Sequence, residues 1–145
     1  MHTQPDRRDT ARAMSEENLD AVRRGMEAFV AGDWEAWVAE FDPEITWEET
    51  PGLGPDLAIY RGVDEVRAAV SSWLGVWVDY DFEVRQYIDA GDDVVVLANE
   101  RGRSRTGVSV ERELGQIHTL RDRKLVRTRL YGSWAEAREV AELPE

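Results

Sequence analysis

Glu49 is the carboxylate of this 145-residue chain best placed to do chemistry. In Ile45-Thr46-Trp47-Glu48-Glu49, period-two alternation puts Ile45, Trp47 and Glu49 on one face of a strand. If that face points inward, Glu49 stands beside an indole ring and loses hydration. Its pKa then rises towards the range where a carboxylate works as a general base. The other reading is a solvated position at a loop mouth, capping the turn at Pro51. His118 is the only histidine besides His2. It alternates with Leu114, Gln116 and Leu120 on one face of a later strand, and its tunable pKa suits an acid or a base. It could equally be a core-edge histidine satisfied by a neighbouring carboxylate. Six tryptophans supply flat aromatic surface, either as plain core or as walls for a hydrophobic, ring-bearing ligand.

Other chemistries find little support. With no cysteine there is neither a disulfide nor a thiol nucleophile. A single core histidine leaves metal binding to carboxylates alone, and no ligand spacing supports a site, so no metal is expected. Gly52-Leu53-Gly54 is an isolated glycine pair, not a phosphate-binding loop, and no cofactor is expected. The net charge of −12 repels nucleic acid and anionic lipid. Arg101, Arg103, Arg105, Arg121, Arg123, Arg127 and Arg129 therefore read as solvated strand positions or rim ion pairs. No apolar run is long enough to cross a membrane, and the first residues carry no apolar stretch of the kind a secretory signal needs. The expected compartment is the cytoplasm. A composition 42% hydrophobic and 33% charged is that of a globular chain.

These residues need elements to hold them. Residues 1–13 are polar and aperiodic and read as a disordered tail, with 14–145 as one domain and Met14 as a plausible second start. A helix is expected from the N-cap Ser15, carrying Leu19, Val22, Met26, Phe29 and Val30 on one stripe and ending at Gly32. Asp33 caps a short second helix with Trp34, Trp37, Val38 and Phe41 on its apolar face, stopped by Pro43. After the Ile45–Glu49 strand, residues 50–61 hold two prolines and two glycines and read as a loop or a lid. A third helix follows Gly62 with Val63, Val66, Val70, Trp73 and Trp77 near one face. The period then changes to two, with turns at 90–93, 104–107 and 122–123. Ser133 and Glu136 make a capping box for a last helix. The expected order is α-α-β-α-β-β-β-β-α. Val94 to Ala98 is apolar without interruption and must be covered on both faces.

This order resembles the NTF2-like superfamily, and within it the SnoaL-like and ketosteroid-isomerase-like branch. The similar stretches are Phe29-Val30-Ala31-Gly32-Asp33-Trp34, Phe41-Asp42-Pro43-Glu44-Ile45-Thr46-Trp47, Tyr60-Arg61-Gly62 and Leu120-Arg121-Asp122-Arg123-Lys124-Leu125-Val126, and the likeness spans about residues 15–143. It implies an α+β cone in which a curved antiparallel sheet is wrapped by three helices from the N-terminal half and a short C-terminal helix. It implies a pocket between those helices and the concave sheet face, lined by Met26, Phe29, Trp34, Trp37, Phe41, Trp47, Tyr60, Trp73 and Trp77. It also implies a homodimer packed sheet to sheet, which would cover the second face of Val94 to Ala98.

By the same resemblance Glu49 falls where ketosteroid isomerases carry their aspartate base. Gln116 lies near their oxyanion aspartate, so Gln116 and His118 are expected to offer hydrogen bonds to a carbonyl oxygen. Two departures stand beside this. The isomerases' oxyanion tyrosine falls on Gly25, and Ser133 stands where many SnoaL-like chains carry an aspartate. The implied function is binding of a small hydrophobic or aromatic molecule. It comes either with cofactor-independent isomerase, cyclase or hydrolase chemistry or as a non-catalytic binding or dimer module.

Overall fold

In the computed structural model, which describes residues 7–51, 53 and 57–143, helix α1 runs from Arg7 to Ala31. It begins eight residues before the expected start at Ser15 and passes through that residue unbroken, while residues 1–6 lie outside the described residues. The inner stripe is Asn18, Ala21, Val22 and Met26, all buried. Gly32, at φ 76°, closes the helix as the sequence suggests. Its N–H donates to Phe29 O and that of Asp33 to Ala28 O, the paired bonds of a Schellman cap. Asp33 Oδ1 then accepts from Ala36 N at 3.1 Å and starts α2, Trp34–Val38.

Strand β1 is Phe41–Glu49, longer than expected, because Phe41 and Pro43 belong to it and not to α2. Proline has no N–H for a ladder. It is tolerated where β1 slips register against its neighbour between Phe41 and Thr46. The stretch expected as one loop ends in a strand, β2 (Ala58–Arg61), pairing Tyr60 with Trp47. Helix α3, Gly62–Leu74, opens on a glycine at φ 83°. Trp77, expected on α3, instead starts β3 (Trp77–Ala90). There it lies over Gly102, where an added Cβ would meet the indole at 2.8 Å. The meander continues through β4 (Asp93–Ser104), β5 (Ser109–Arg121) and β6 (Lys124–Tyr131) to α4, Trp134–Val140.

The six strands lie in the order β2-β1-β6-β5-β4-β3 in a curved, unclosed sheet. The sheet is mixed, not wholly antiparallel, because β1 and β6 run parallel. The main core lies between one face and helices α1 to α3, with Val94, Val96, Ala98, Leu114 and Leu120 meeting Ala21, Val22, Met26 and Trp37.

The opposite face is covered from within the chain. Val95, Leu97, Ile117 and Tyr131 pack against Ala137 and Trp134 of α4. A second copy is therefore not what buries that side of β4. Ser133 Oγ accepts from Glu136 N at 3.1 Å, and Trp134 Nε1 donates to Ala98 O at 2.8 Å. Gly115 lets α4 close down, since a Cβ there would stand 2.5 Å from that of Ala137.

The described side chains of the first two turns of α1, from Arg7 to Met14, are exposed. A chain starting at Met14 is therefore expected to melt within about 3 °C of the full chain by circular dichroism. A larger drop would mean that these turns pack on the body.

Candidate functional site

Cross-strand register assembles the polar side of the site. On the helix-covered face, Glu49 of β1 sits beside Leu130 of β6, and Leu130 sits opposite Gln116 of β5. Further along, Arg112 of β5 stands opposite Glu100 of β4. These residues open onto a cavity of about 380 Å³ walled by Met26, Phe29, Trp37, Trp47, Trp73, Phe82 and Leu114 among others. Trp37 is the hub of the aromatic side, with ring centroids 5.5 Å from Phe29, 5.3 Å from Trp34, 4.8 Å from Phe41 and 6.1 Å from Trp47.

Of the residues expected at the pocket, Met26, Phe29, Trp37, Trp47, Trp73, Glu49 and Gln116 line the cavity. The remaining aromatic residues stand behind it. Trp34 stacks edge-on to Phe29 and Trp37, and Phe41 supports Trp37 and Trp47. Tyr60 packs on the core from the edge strand β2, and Trp77 stacks on Trp73.

His118 is also outside the cavity. It is fully buried beneath Gln116, between Thr128 Oγ1 at 2.8 Å from Nδ1 and Gln116 Oε1 at 2.7 Å from Nε2. Its partners are a hydroxyl and an amide, not the carboxylate expected for a core-edge histidine. Burial depresses its pKa to about 3, so the ring is neutral at physiological pH. A neutral imidazole out of reach of the cavity does not serve there as an acid or base.

Glu49 is half-buried, and desolvation raises its pKa above the usual carboxylate range. The positive charge of Arg112 opposes that shift, and the negative charge of Glu100 adds to it. Among the described residues none hydrogen-bonds its carboxylate.

Three polar wall residues escaped the sequence reading: Tyr80, Glu100 and Arg112. Glu100 is only 3% exposed. Its Oε2 accepts from Trp73 Nε1 at 2.9 Å and from Tyr80 OH at 2.5 Å, and its Oε1 from Arg112 Nε at 2.8 Å. Arg112 also donates to Leu53 O at 3.2 Å and lies over the Trp73 ring at 4.9 Å. Burial, then the adjacent Glu100 charge, pushes the Tyr80 hydroxyl above its ordinary value, so it stays protonated. The cluster thus compensates its own charge, which leaves Glu49 as the cavity carboxylate with no hydrogen bond or ion-pair contact among the described residues. The signal for it was present. Glu100 continues the Val94-Val96-Ala98 face, Arg112 the Leu114-Gln116 face, and Tyr80 the Phe82-Val84 face. Among the described residues no group of three or more His, Asp or Glu side chains is placed to hold a metal ion, and no helix is long and apolar enough to cross a membrane.

Against known proteins, the SnoaL-like domain profile matches residues 22–128. An NTF2-like protein of Burkholderia thailandensis E264 is 28% identical, with a TM-score of 0.73 over 88% of this chain and 98% of that one. TerC, co-crystallised with polyporic acid, is 21% identical, with a TM-score of 0.70 over 87% and 98%. A protein of ketosteroid isomerase-like fold from Catenulispora acidiphila, in complex with trimethylamine, is 15% identical, with a TM-score of 0.65 over 86% and 93%. The last two likenesses are of fold alone. No curated protein sequence matches the chain.

Because Glu100 is deeply buried and three donors converge on it, Glu100→Gln sets an amide N–H against one of them and strips Arg112 of its counter-charge. The expected cost is about 2–3 kcal/mol in urea unfolding, the low side for a buried pair because Arg112 is partly solvated. An unchanged midpoint would mean that the network adds nothing to the fold.

Proposed function

We propose that this chain, which belongs to the SnoaL-like domain family, binds a small hydrophobic ring-bearing carbonyl compound and moves a proton on it with Glu49 as the base. The observation that carries this reading is a desolvated carboxylate, free of hydrogen bonds among the described residues, at the wall of an aromatic cavity. A carboxylate whose pKa is raised by burial binds a proton more strongly than an ordinary one and is nearer to the pH at which it works. In the proposed step the ionised Glu49 removes a proton from the carbon next to the carbonyl. The Gln116 amide N–H donates to the oxygen as it gains negative charge, and the proton then returns to the same or a conjugated carbon. Such a step serves an isomerase or an aldol-type cyclase, and no cofactor enters it. Two structural neighbours hold small organic molecules, polyporic acid and trimethylamine, which is in keeping with a small-molecule pocket on this fold.

A second reading, a non-catalytic binder, has its own observation. Gly25 offers no hydroxyl, and the Ser133 Oγ accepts the cap bond of α4. The two readings differ in a single measurement. With 1-tetralone as the probe, the wild-type protein is expected to speed exchange of the α-protons in heavy water, followed by proton NMR. Glu49→Gln should bring that rate down by about a hundredfold or more, to the buffer rate, while calorimetry shows the ketone still bound. The wild-type rate should climb with pH through a limb above the usual carboxylate range, and that limb should vanish in the variant. Binding without any acceleration would favour the second reading.

The homodimer is proposed alongside. Its support is the outward sheet face away from α4, where the pairs Arg127–Glu48, Arg129–Asp93 and Arg101–Asp81 offer both signs of charge to a twofold mate. Light scattering at micromolar concentration is expected to give twice the chain mass. A monomer mass would remove the dimer and leave the pocket reading untouched.

A further inference from the structure

Thr128 is 0% exposed on β6, and its hydroxyl has one hydrogen-bond partner among the described residues, Nδ1 of His118. Nε2 of the same ring meets Gln116 Oε1. Two proton arrangements would join these three side chains. In the first, Thr128 O–H donates to Nδ1, and Nε2–H donates to the Gln116 carbonyl. The Gln116 amide N–H is then left to the cavity. In the second, the amide is turned over, its N–H donates to Nε2, and Nδ1–H donates to Thr128 Oγ1. The cavity then faces a carbonyl. The second arrangement leaves the Thr128 hydroxyl hydrogen buried without an acceptor, and an unmade buried hydrogen bond costs more than a made one gains. A charged imidazolium, donating from both nitrogens, would likewise leave the Thr128 hydroxyl hydrogen without an acceptor, and burial disfavours its charge.

We infer that Thr128 and His118 are positioning residues that fix the hydrogen-bond polarity of the cavity, holding the Gln116 amide N–H towards the ligand so that the site selects an acceptor oxygen there. The signal starts at the one group of the relay with a single way to be satisfied, the Thr128 hydroxyl. It ends at a cavity-lining donor that no described residue uses. The ligand class that follows is a ketone, enolate or ester oxygen, whereas an alcohol or ammonium hydrogen would meet another N–H. The inference rests on the pocket reading above and narrows it, because it names the atom of the ligand that must face β5.

The wild-type test needs no ligand. Nitrogen-15 NMR of the labelled protein at pH 7 should show His118 neutral, with Nε2 protonated and Nδ1 bare. Protonation at Nδ1, or at both nitrogens, overturns the proposal. The second arm uses calorimetry with two probes, 1-tetralone and tetralin, which differ by the carbonyl oxygen. The wild type should favour the ketone by about three- to tenfold, the share of one neutral hydrogen bond. The double variant His118→Phe/Thr128→Val removes both relay partners together, so no buried donor is stranded and the fold is kept. It should lose the ketone preference while tetralin affinity holds. Gln116→Met should lose the same preference, and adding the double variant to it should lose nothing more. A double variant that keeps the ketone preference overturns the relay. If neither probe binds while the tautomer is as stated, the pocket reading falls and the proton assignment stands.

Discussion

Strand β4 has to be dry on both faces, and most of the fold is arranged around that requirement. Val94, Val95, Val96 and Ala98 are fully buried, and Leu97 nearly so. An uninterrupted apolar strand in a sheet needs a layer on each side. Helices α1 to α3 supply one layer, and they do not close down fully, which leaves the cavity between them and the sheet. Helix α4 supplies the other, pinned by the indole of Trp134 on the Ala98 carbonyl and by Ala137 against the bare backbone of Gly115. The same seven-residue helix takes the Ser133 hydroxyl oxygen as its cap acceptor.

A cavity cut into such a core exposes its polar wall residues to a poor solvent, and the chain handles its charges in two ways. Glu100 is surrounded by three donors, one of them the guanidinium of Arg112. Desolvation is offset there by hydrogen bonds and by the opposite charge. Glu49 has no hydrogen bond to offset desolvation, only the more distant charge of Arg112, and desolvation outweighs it. Its pKa is higher folded than unfolded, so its favourable share of stability is present below the unfolded value and is lost as pH rises through the folded one. At neutral pH the fold bears the cost of an ionised, half-desolvated carboxylate. A group that weakens the fold where the protein works is of the kind found at functional sites.

Much of this was legible from the sequence because period and capping report local physics. The alternation of Ile45, Trp47 and Glu49 put the carboxylate on the cavity face, and the Phe29-to-Trp34 stretch marked both the Schellman glycine and the Asp33 cap. What escaped depended on partners remote in sequence. Pro43 reads locally as a helix stop, yet it lies in a strand because β1 slips against β6 there. Trp77 fits the helical stripe of α3, but its ring is taken by Gly102, 25 positions on. His118 alternates faithfully with Gln116, which reads as two cavity residues. The helices close over its end of the strand and leave only Gln116 open. The cluster around Glu100 follows the same alternation, but only three-dimensional pairing shows three separate strand and helix positions meeting on one carboxylate.

The positions of Glu49 and Gln116 constrain any reaction in this cavity more than their identities do. Adjacent strands lie about 4.8 Å apart, so these residues, separated by the strand carrying Leu130, have backbones about 10 Å from each other. Both side chains rise from the same sheet face, and Leu130 between them is the floor on which a flat ring would rest. A hydrogen acceptor then stands on one side of that ring and a donor on the other, the pairing required to move a proton at carbon while an adjacent oxygen takes up charge. The next row of the sheet is Trp47, Thr128, His118 and Val94, all buried. The floor of the cavity thus stands on a second floor in which Thr128 and His118 hydrogen-bond to each other and His118 to Gln116, while the buried Trp47 Nε1 has no partner among the described residues. The two rows are joined through the His118–Gln116 hydrogen bond, so the polar end of the cavity floor is tied to the buried layer beneath it.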